Sequence, residues 1–335
     1  MTSESAVIFG VEGLCLTPDE KRFFTDVNPW GFILFTRNLE NHDQIRALTA
    51  ELRTTLGRDL PILIDQEGGR VQRLRAPLAS DWPFPQEHVK GLPLDTARKV
   101  MRLRAQIIGS ELMALGINVN CAPMLDLPTP EAHPIIADRA YGPDSETVTA
   151  LGRAVMDGQS AAGILSVLKH MPGHGRATVD THLDLPRIMI PLDGLQSDFA
   201  PFRALQDCPL GMSAHVIYDA LDPENCATQS NAAINYIRTD IGFDGAIMTD
   251  DLSMQALKGT HRDRATKALT AGCDLILHCN GNMNEMVEVA SVIPRLTGLS
   301  AMRTNRAIGL RTEPEAFDLN DARQSLTSLL KTKNV

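Results

Sequence analysis

The 335-residue sequence predicts an α/β fold closed into a (β/α)8 TIM barrel, on three observations. Short apolar or β-branched runs recur eight times, helical periodicity fills most of the intervals, and a chemically reactive residue follows each run. The runs are 6–11 (AVIFGV), 31–35 (GFILF), 61–64 (PILI), 117–122 (INVNCA), 166–169 (SVLK), 211–216 (GMSAHV), 245–249 (GAIMT) and 274–278 (DLILH). Helical spacing is read at 43–55, 95–115, 145–162, 192–205, 232–241, 262–271 and 283–293. Parallel strands need crossover helices, and eight such strands fill a barrel interior with their own side chains. An open doubly wound sheet would need a glycine fingerprint after an early strand. Gly68-Gly69 fits neither the dinucleotide nor the phosphate-loop spacing.

Eight strands favour one domain over residues 1–335, although the length would also suit two. Residues 298–335, with helical spacing near 321–330, are expected to form a C-terminal helical extension packed on the barrel. Two long connections stand out. Residues 74–94 hold four prolines and no clear period, which predicts a surface excursion, and 172–191 is a second long loop.

Composition narrows the partners. The chain is 43% hydrophobic, enough for a sizeable core, and its 41 acidic against 32 basic residues give a net charge of −9. That balance argues against nucleic acid or an anionic membrane surface as the main partner. No apolar run approaches the roughly 20 residues needed to cross a bilayer. The start, MTSESAVIFG, carries no basic segment followed by a long apolar one, and the six cysteines are scattered without a CxxC pair. Reduced thiols and a cytoplasmic location are the expectation.

The strand ends carry the chemistry: Glu12, Arg37-Asn38, Asp65-Gln66-Glu67, Asp126, Lys169-His170, His215, Asp250-Asp251, and His278 with Asn280. In a barrel these would line one mouth. In DQEGGRVQRL (65–74), two glycines permit a sharp turn that brings Asp65 towards Arg70 and Arg73. ADRAYG (137–142) sets Arg139 before an aromatic. The loop KHMPGHGRATVDTH (169–182) places three histidines, a lysine and an aspartate directly after a strand. There Asp180 can accept a hydrogen bond from His182 and fix its tautomer, making that imidazole a competent proton shuttle. GFDGAIMTDDLSM (242–254) ends a strand with two carboxylates. Asp250, the first, is expected to face inward as a nucleophile, and Asp251 to cap the following helix or support the site. His170, His174, His182, His215 and Asp250 would also serve as metal ligands, so a metal-dependent barrel hydrolase is the rival reading. That rival expects an HxH pair after the first strand, where the chain has Val11-Glu12-Gly13.

Taken in order, DQEGGRVQRL, APMLDL, DRAYG, KHMPGHG with DTH, SAHVIYDALDP and GFDGAIMTDDLSM resemble the family-three glycoside hydrolases, and within them the cytoplasmic bacterial β-N-acetylglucosaminidases of peptidoglycan recycling. The resemblance implies a single barrel that removes terminal β-linked N-acetylglucosamine from muropeptide fragments with retention. It implies Asp250 as nucleophile, His182 as proton donor and acceptor oriented by Asp180, and Asp65, Arg73, Arg139, Lys169 and His170 as substrate-binding residues. Met171 and Thr181 stand where the family commonly has Phe and Ser, changes that keep the character of the site. No cofactor and no metal are expected. The partner is a small saccharide, and the protein is expected to be a monomer.

Overall fold

The computed structural model describes residues 3–130, 134–177 and 185–331. Eight parallel strands follow one another around the sheet: β1 (Ser5–Gly10), β2 (Pro29–Leu34), β3 (Ile62–Ile64), β4 (Val119–Asn120), β5 (Leu165–Met171), β6 (Leu210–Ser213), β7 (Ala246–Met248) and β8 (Ile276–His278). Register runs Phe9 to Phe32, Phe32 to Ile62, Leu63 to Val119, Val119 to Leu165, Val167 to Leu210 and Leu210 to Ala246. β1 pairs with β8 through Val7 and Ile276, and a parallel bridge from Met248 to Leu275 closes the ring.

Alternation along the strands separates two apolar layers. Ile8, Ile33, Leu63, Val119, Val167, Met212, Met248 and Leu277 fill the inside of the barrel. Val7, Phe9, Phe32, Leu34, Ile62 and Ile64 face outward onto helical residues such as Phe24, Ile45, Leu48, Val100 and Ile107. The helices of eight residues or more are α1 (Pro18–Val27), α2 (His42–Leu56), α3 (Leu94–Met113), α4 (Ser145–Ala161), α5 (Gln196–Ala204), α6 (Asn231–Thr239), α7 (His261–Ala271), α8 (Met283–Ala290), α9 (Gly298–Gly309) and α10 (Leu319–Leu330). Among the described residues none is long and apolar enough to cross a membrane.

All eight predicted strands and all seven predicted helices exist, with shifted ends. Helix α1 was not predicted, yet its start is written in TPDE: Thr17 and Glu20 form a reciprocal capping box and Pro18 occupies the first turn. The 74–94 excursion is more deeply seated than its prolines suggest. Leu74, Trp82, His88 and Val89 are buried, and Pro85–Val89 makes a short helix. Beyond residue 297, Ala307 of α9 joins the inner barrel cluster beside Leu296, which precedes the helix, while α10 packs on α3. All six cysteines are free thiols, five of them buried.

Candidate active site

A cavity of about 270 Å³ opens at the carboxyl ends of the strands. Its polar wall is Asp65, Arg70, Arg73, Arg139, Lys169, His170, His174, Asp250 and Asp251, and its apolar wall includes Phe35, Met212, Met254 and Leu277. This is the face on which barrel enzymes build their sites.

Asp65 follows β3 directly. The chain then reverses in a hairpin, Gln66–Gly68 against Val71–Gln72, through Gly68 and Gly69 at φ 97° and 61°. A side chain on Gly68 would also collide with the Arg104 guanidinium, so the GG pair is required by both backbone and space. The Gln66 amide oxygen accepts from the Arg73 and Leu74 amides at 2.9 and 3.0 Å, fixing the return. Arg73 thereby reaches the Asp65 carboxylate at 3.1 Å. Arg70 instead pairs with Asp138 at the rim.

Lys169 and His170 are neighbours on β5, yet both line the cavity. The register of β5 against β6 shifts between Leu168 and Met171, the kind of irregularity that re-aims side chains beside active sites. Lys169 Nζ bridges Asp65 at 2.8 Å and Glu67 at 2.6 Å. Glu67, almost fully buried, also accepts a two-point contact from Arg139, 3.0 Å from Nε and 2.8 Å from Nη2. His170 Nδ1 meets Asp126 at 2.6 Å, and Asp126 also accepts from the His170 and His174 amides.

These contacts set the charges. Burial alone would raise the acid groups, but Lys169 and Arg73 hold Asp65 well below the usual carboxylate range. Arg139 and Lys169 likewise bring Glu67 to about 2, and His170 brings Asp126 to about 2. The same carboxylates raise Lys169 and Arg139 despite the opposing effect of their own burial. Burial lowers His174 to about 4, so it is neutral at pH 7.

Asp250 lies just past β7. Burial acts to raise its carboxyl, but His215 and His170 outweigh it and the group is lowered. Among the described residues its one hydrogen bond is from the Asp251 amide, 2.8 Å to Oδ1. Asp65 is engaged by two cations, whereas Asp250 carries a largely uncommitted negative charge facing the cavity. Asp251 does not cap a helix. The next helix begins ten residues later behind Thr260, and Asp251 accepts from the Cys279 and Ser253 amides, tying the end of β7 to that of β8.

Six of the eight predicted site residues, Asp65, Arg73, Arg139, Lys169, His170 and Asp250, therefore meet at one cavity. Asp180 and His182 lie outside the described residues. The segment before them is pinned, since Arg176 makes two contacts to Asp198 and Tyr218 donates to the Gly173 carbonyl. Nine of the fourteen strand-end residues do not line the cavity: Glu12, Arg37, Asn38, Gln66, Glu67, Asp126, His215, His278 and Asn280. Glu12 is exposed, while Arg37 and Asn38 hold the carbonyl of Val11. His278 faces the helices rather than the mouth, because it alternates with inward Leu277 and Cys279. Glu67 and Asp126, expected to line the mouth, instead stand behind it, where Glu67 holds Arg139 and Lys169 and Asp126 holds His170. Among the described residues the rival metal ligands His170, His174, His215 and Asp250 do not gather within ligating distance of one another.

A barrel with a carboxylate-, cation- and imidazole-lined mouth is suited to a polar substrate. The match to the glycosyl hydrolase family 3 N-terminal domain over residues 17–307 is specific: the chain belongs to that family and is a glycoside hydrolase. It is 36% identical over 314 residues to a β-hexosaminidase of Chromobacterium violaceum, covering 90% of this chain and 86% of that one. Identity to a β-hexosaminidase of Thioalkalivibrio sulfidiphilus is also 36%, over 82% of this chain and 80% of the relative. The crystal structure of NagZ from Neisseria gonorrhoeae with N-trifluoroacetyl-D-glucosamine superposes with a TM-score of 0.85 at 28% identity, covering 99% and 98% of the two chains.

Proposed function

We propose that the protein is a retaining, exo-acting β-N-acetylglucosaminidase that removes terminal N-acetylglucosamine from peptidoglycan fragments in the cytoplasm, acting as a monomer. The observation that carries the reading is Asp250: a carboxylate lowered below its usual range at the end of β7, open to the cavity and, among the described residues, free of a cationic partner that would hold it. The names of the relatives and of the ligand held by the Neisseria protein support the sugar.

In this reading an Asp250 oxygen attacks the anomeric carbon as the bond to the leaving oxygen breaks, and His182, oriented by Asp180, delivers the proton to that oxygen. His182 then takes a proton from water, which attacks the anomeric carbon and releases Asp250. Asp65, Lys169, Arg73, Arg139 and His170 bind the sugar, their polar groups satisfying hydroxyls that would otherwise be buried unpaired. The test is hydrolysis of a chromogenic β-N-acetylglucosaminide against the matching β-glucoside by wild type, Asp250→Ala and His182→Ala. Preference for the N-acetyl sugar, with turnover lost in Asp250→Ala, is expected. Equal rates on both sugars would defeat the specificity.

A further inference from the structure

We infer that the protein has a divalent transition-metal site, best suited to zinc, formed by His261, His278 and Glu285 on the outer side of the barrel. The three come from separate elements: His261 opens α7, His278 ends β8, and Glu285 lies in the first turn of α8. Their ligand atoms all lie within 4.8 Å of one another. Glu285 Oε2 is 3.1 Å from His261 Nε2 and 3.6 Å from His278 Nε2. A tetrahedral zinc ion about 2.0–2.1 Å from each ligand sets neighbouring ligand atoms roughly 3.3 Å apart. The two separations from Glu285 bracket that edge, and the ligand nitrogens of the two imidazoles lie within 4.8 Å of each other.

His278 supplies an independent reason to look for a ligand. Its side chain is fully buried, and among the described residues neither ring nitrogen has a hydrogen bond of ordinary geometry. Buried polar atoms are almost always paired, and a cation between His278 Nε2 and the Glu285 carboxylate oxygen 3.6 Å away would satisfy both. The neighbours suit that role. Asn280 Nδ2 donates to Glu285 Oε2 at 2.5 Å, and Glu288 Oε2 lies 3.8 Å from the other nitrogen of His261, where it can orient the ring. His261 and Glu285 are partly exposed, which gives an ion a route in and leaves a fourth position for water. Two imidazoles and one carboxylate form a borderline donor set that favours zinc over calcium or magnesium. The site is separate from the catalytic cavity, whose wall contains none of the three.

The test is zinc titration of chelator-stripped protein by calorimetry, with cobalt substitution read by visible absorption. Wild type should bind one equivalent at this site, with a four-coordinate cobalt spectrum. His261→Ala and Glu285→Gln, both at partly exposed positions, should each weaken that binding by about tenfold or more while unfolding in chelator at the wild-type temperature. An Asp250→Ala/His182→Ala variant should keep it. No binding by wild type, or binding unchanged in both His261→Ala and Glu285→Gln, overturns the proposal.

Discussion

At the scale of single residues, the site separates one carboxylate from four others, of which Asp251 is held by the Cys279 and Ser253 amides. Asp65, Glu67 and Asp126 are each held by a cation or imidazole, and Asp250 is the one left to react. Replacing Asp250 by Ala should lower kcat by roughly 10⁴-fold or more while sugar binding persists, as checked by steady-state kinetics and product titration. Asp126 touches His170 rather than the cavity, so Asp126→Asn should raise KM about tenfold by loosening that ring, the loss of one charge-assisted hydrogen bond. Glu67 gives a pH prediction. Its folded-state carboxyl is lowered from 4.5 to about 2, so its stabilisation is present above 4.5 and is lost as pH falls towards 2. Thermal unfolding followed across that window should show a steeper acid loss in wild type than in Glu67→Gln. The residue types of the site were legible because charged and imidazole side chains clustered after apolar runs. Which of them would hold another and which would react was not legible, since Lys169 meets Asp65 across 104 positions and Arg139 meets Glu67 across 72.

Secondary-structure elements explain where those side chains point. Period-2 alternation made every barrel strand readable, but it also turns alternate residues outward, and His278 was misplaced for that reason. Helix α1 escaped notice because it is short and mostly polar, with Phe23, Phe24 and Val27 as its large apolar residues. The 74–94 excursion looked superficial because prolines hide a buried Trp82 and its contact with the Arg104 guanidinium. Close approach of elements sets a further limit. A methyl group on Gly10, the last residue of β1, would lie 2.1 Å from the Cys279 carbonyl oxygen beyond β8. Gly10→Ala should therefore destabilise the protein by about 1–3 kcal/mol, measured by chemical denaturation.

For the whole molecule, the barrel's far end is stoppered by its own C-terminal region. Leu296 and Ala307 complete the inner core, and Arg303 pairs with Asp244 and Asp274 below β7 and β8. We propose that the C-terminal extension, described to residue 331, is part of one folding unit with the barrel. A chain ending at residue 297 should unfold at a clearly lower temperature or fail to stay folded, and an unchanged transition would show the extension to be dispensable. The central claim is that catalysis passes through a sugar bound covalently to Asp250. It is tested most directly in His182→Ala with a substrate bearing a strongly acidic phenol leaving group. Departure then needs no acid, while hydrolysis of the intermediate still needs the missing base, so the intermediate should accumulate. Peptide mass spectrometry of the quenched enzyme should find an N-acetylhexosaminyl group on Asp250. An adduct on another residue, or turnover of that substrate at the wild-type rate with Asp250 unmodified throughout, would contradict the account.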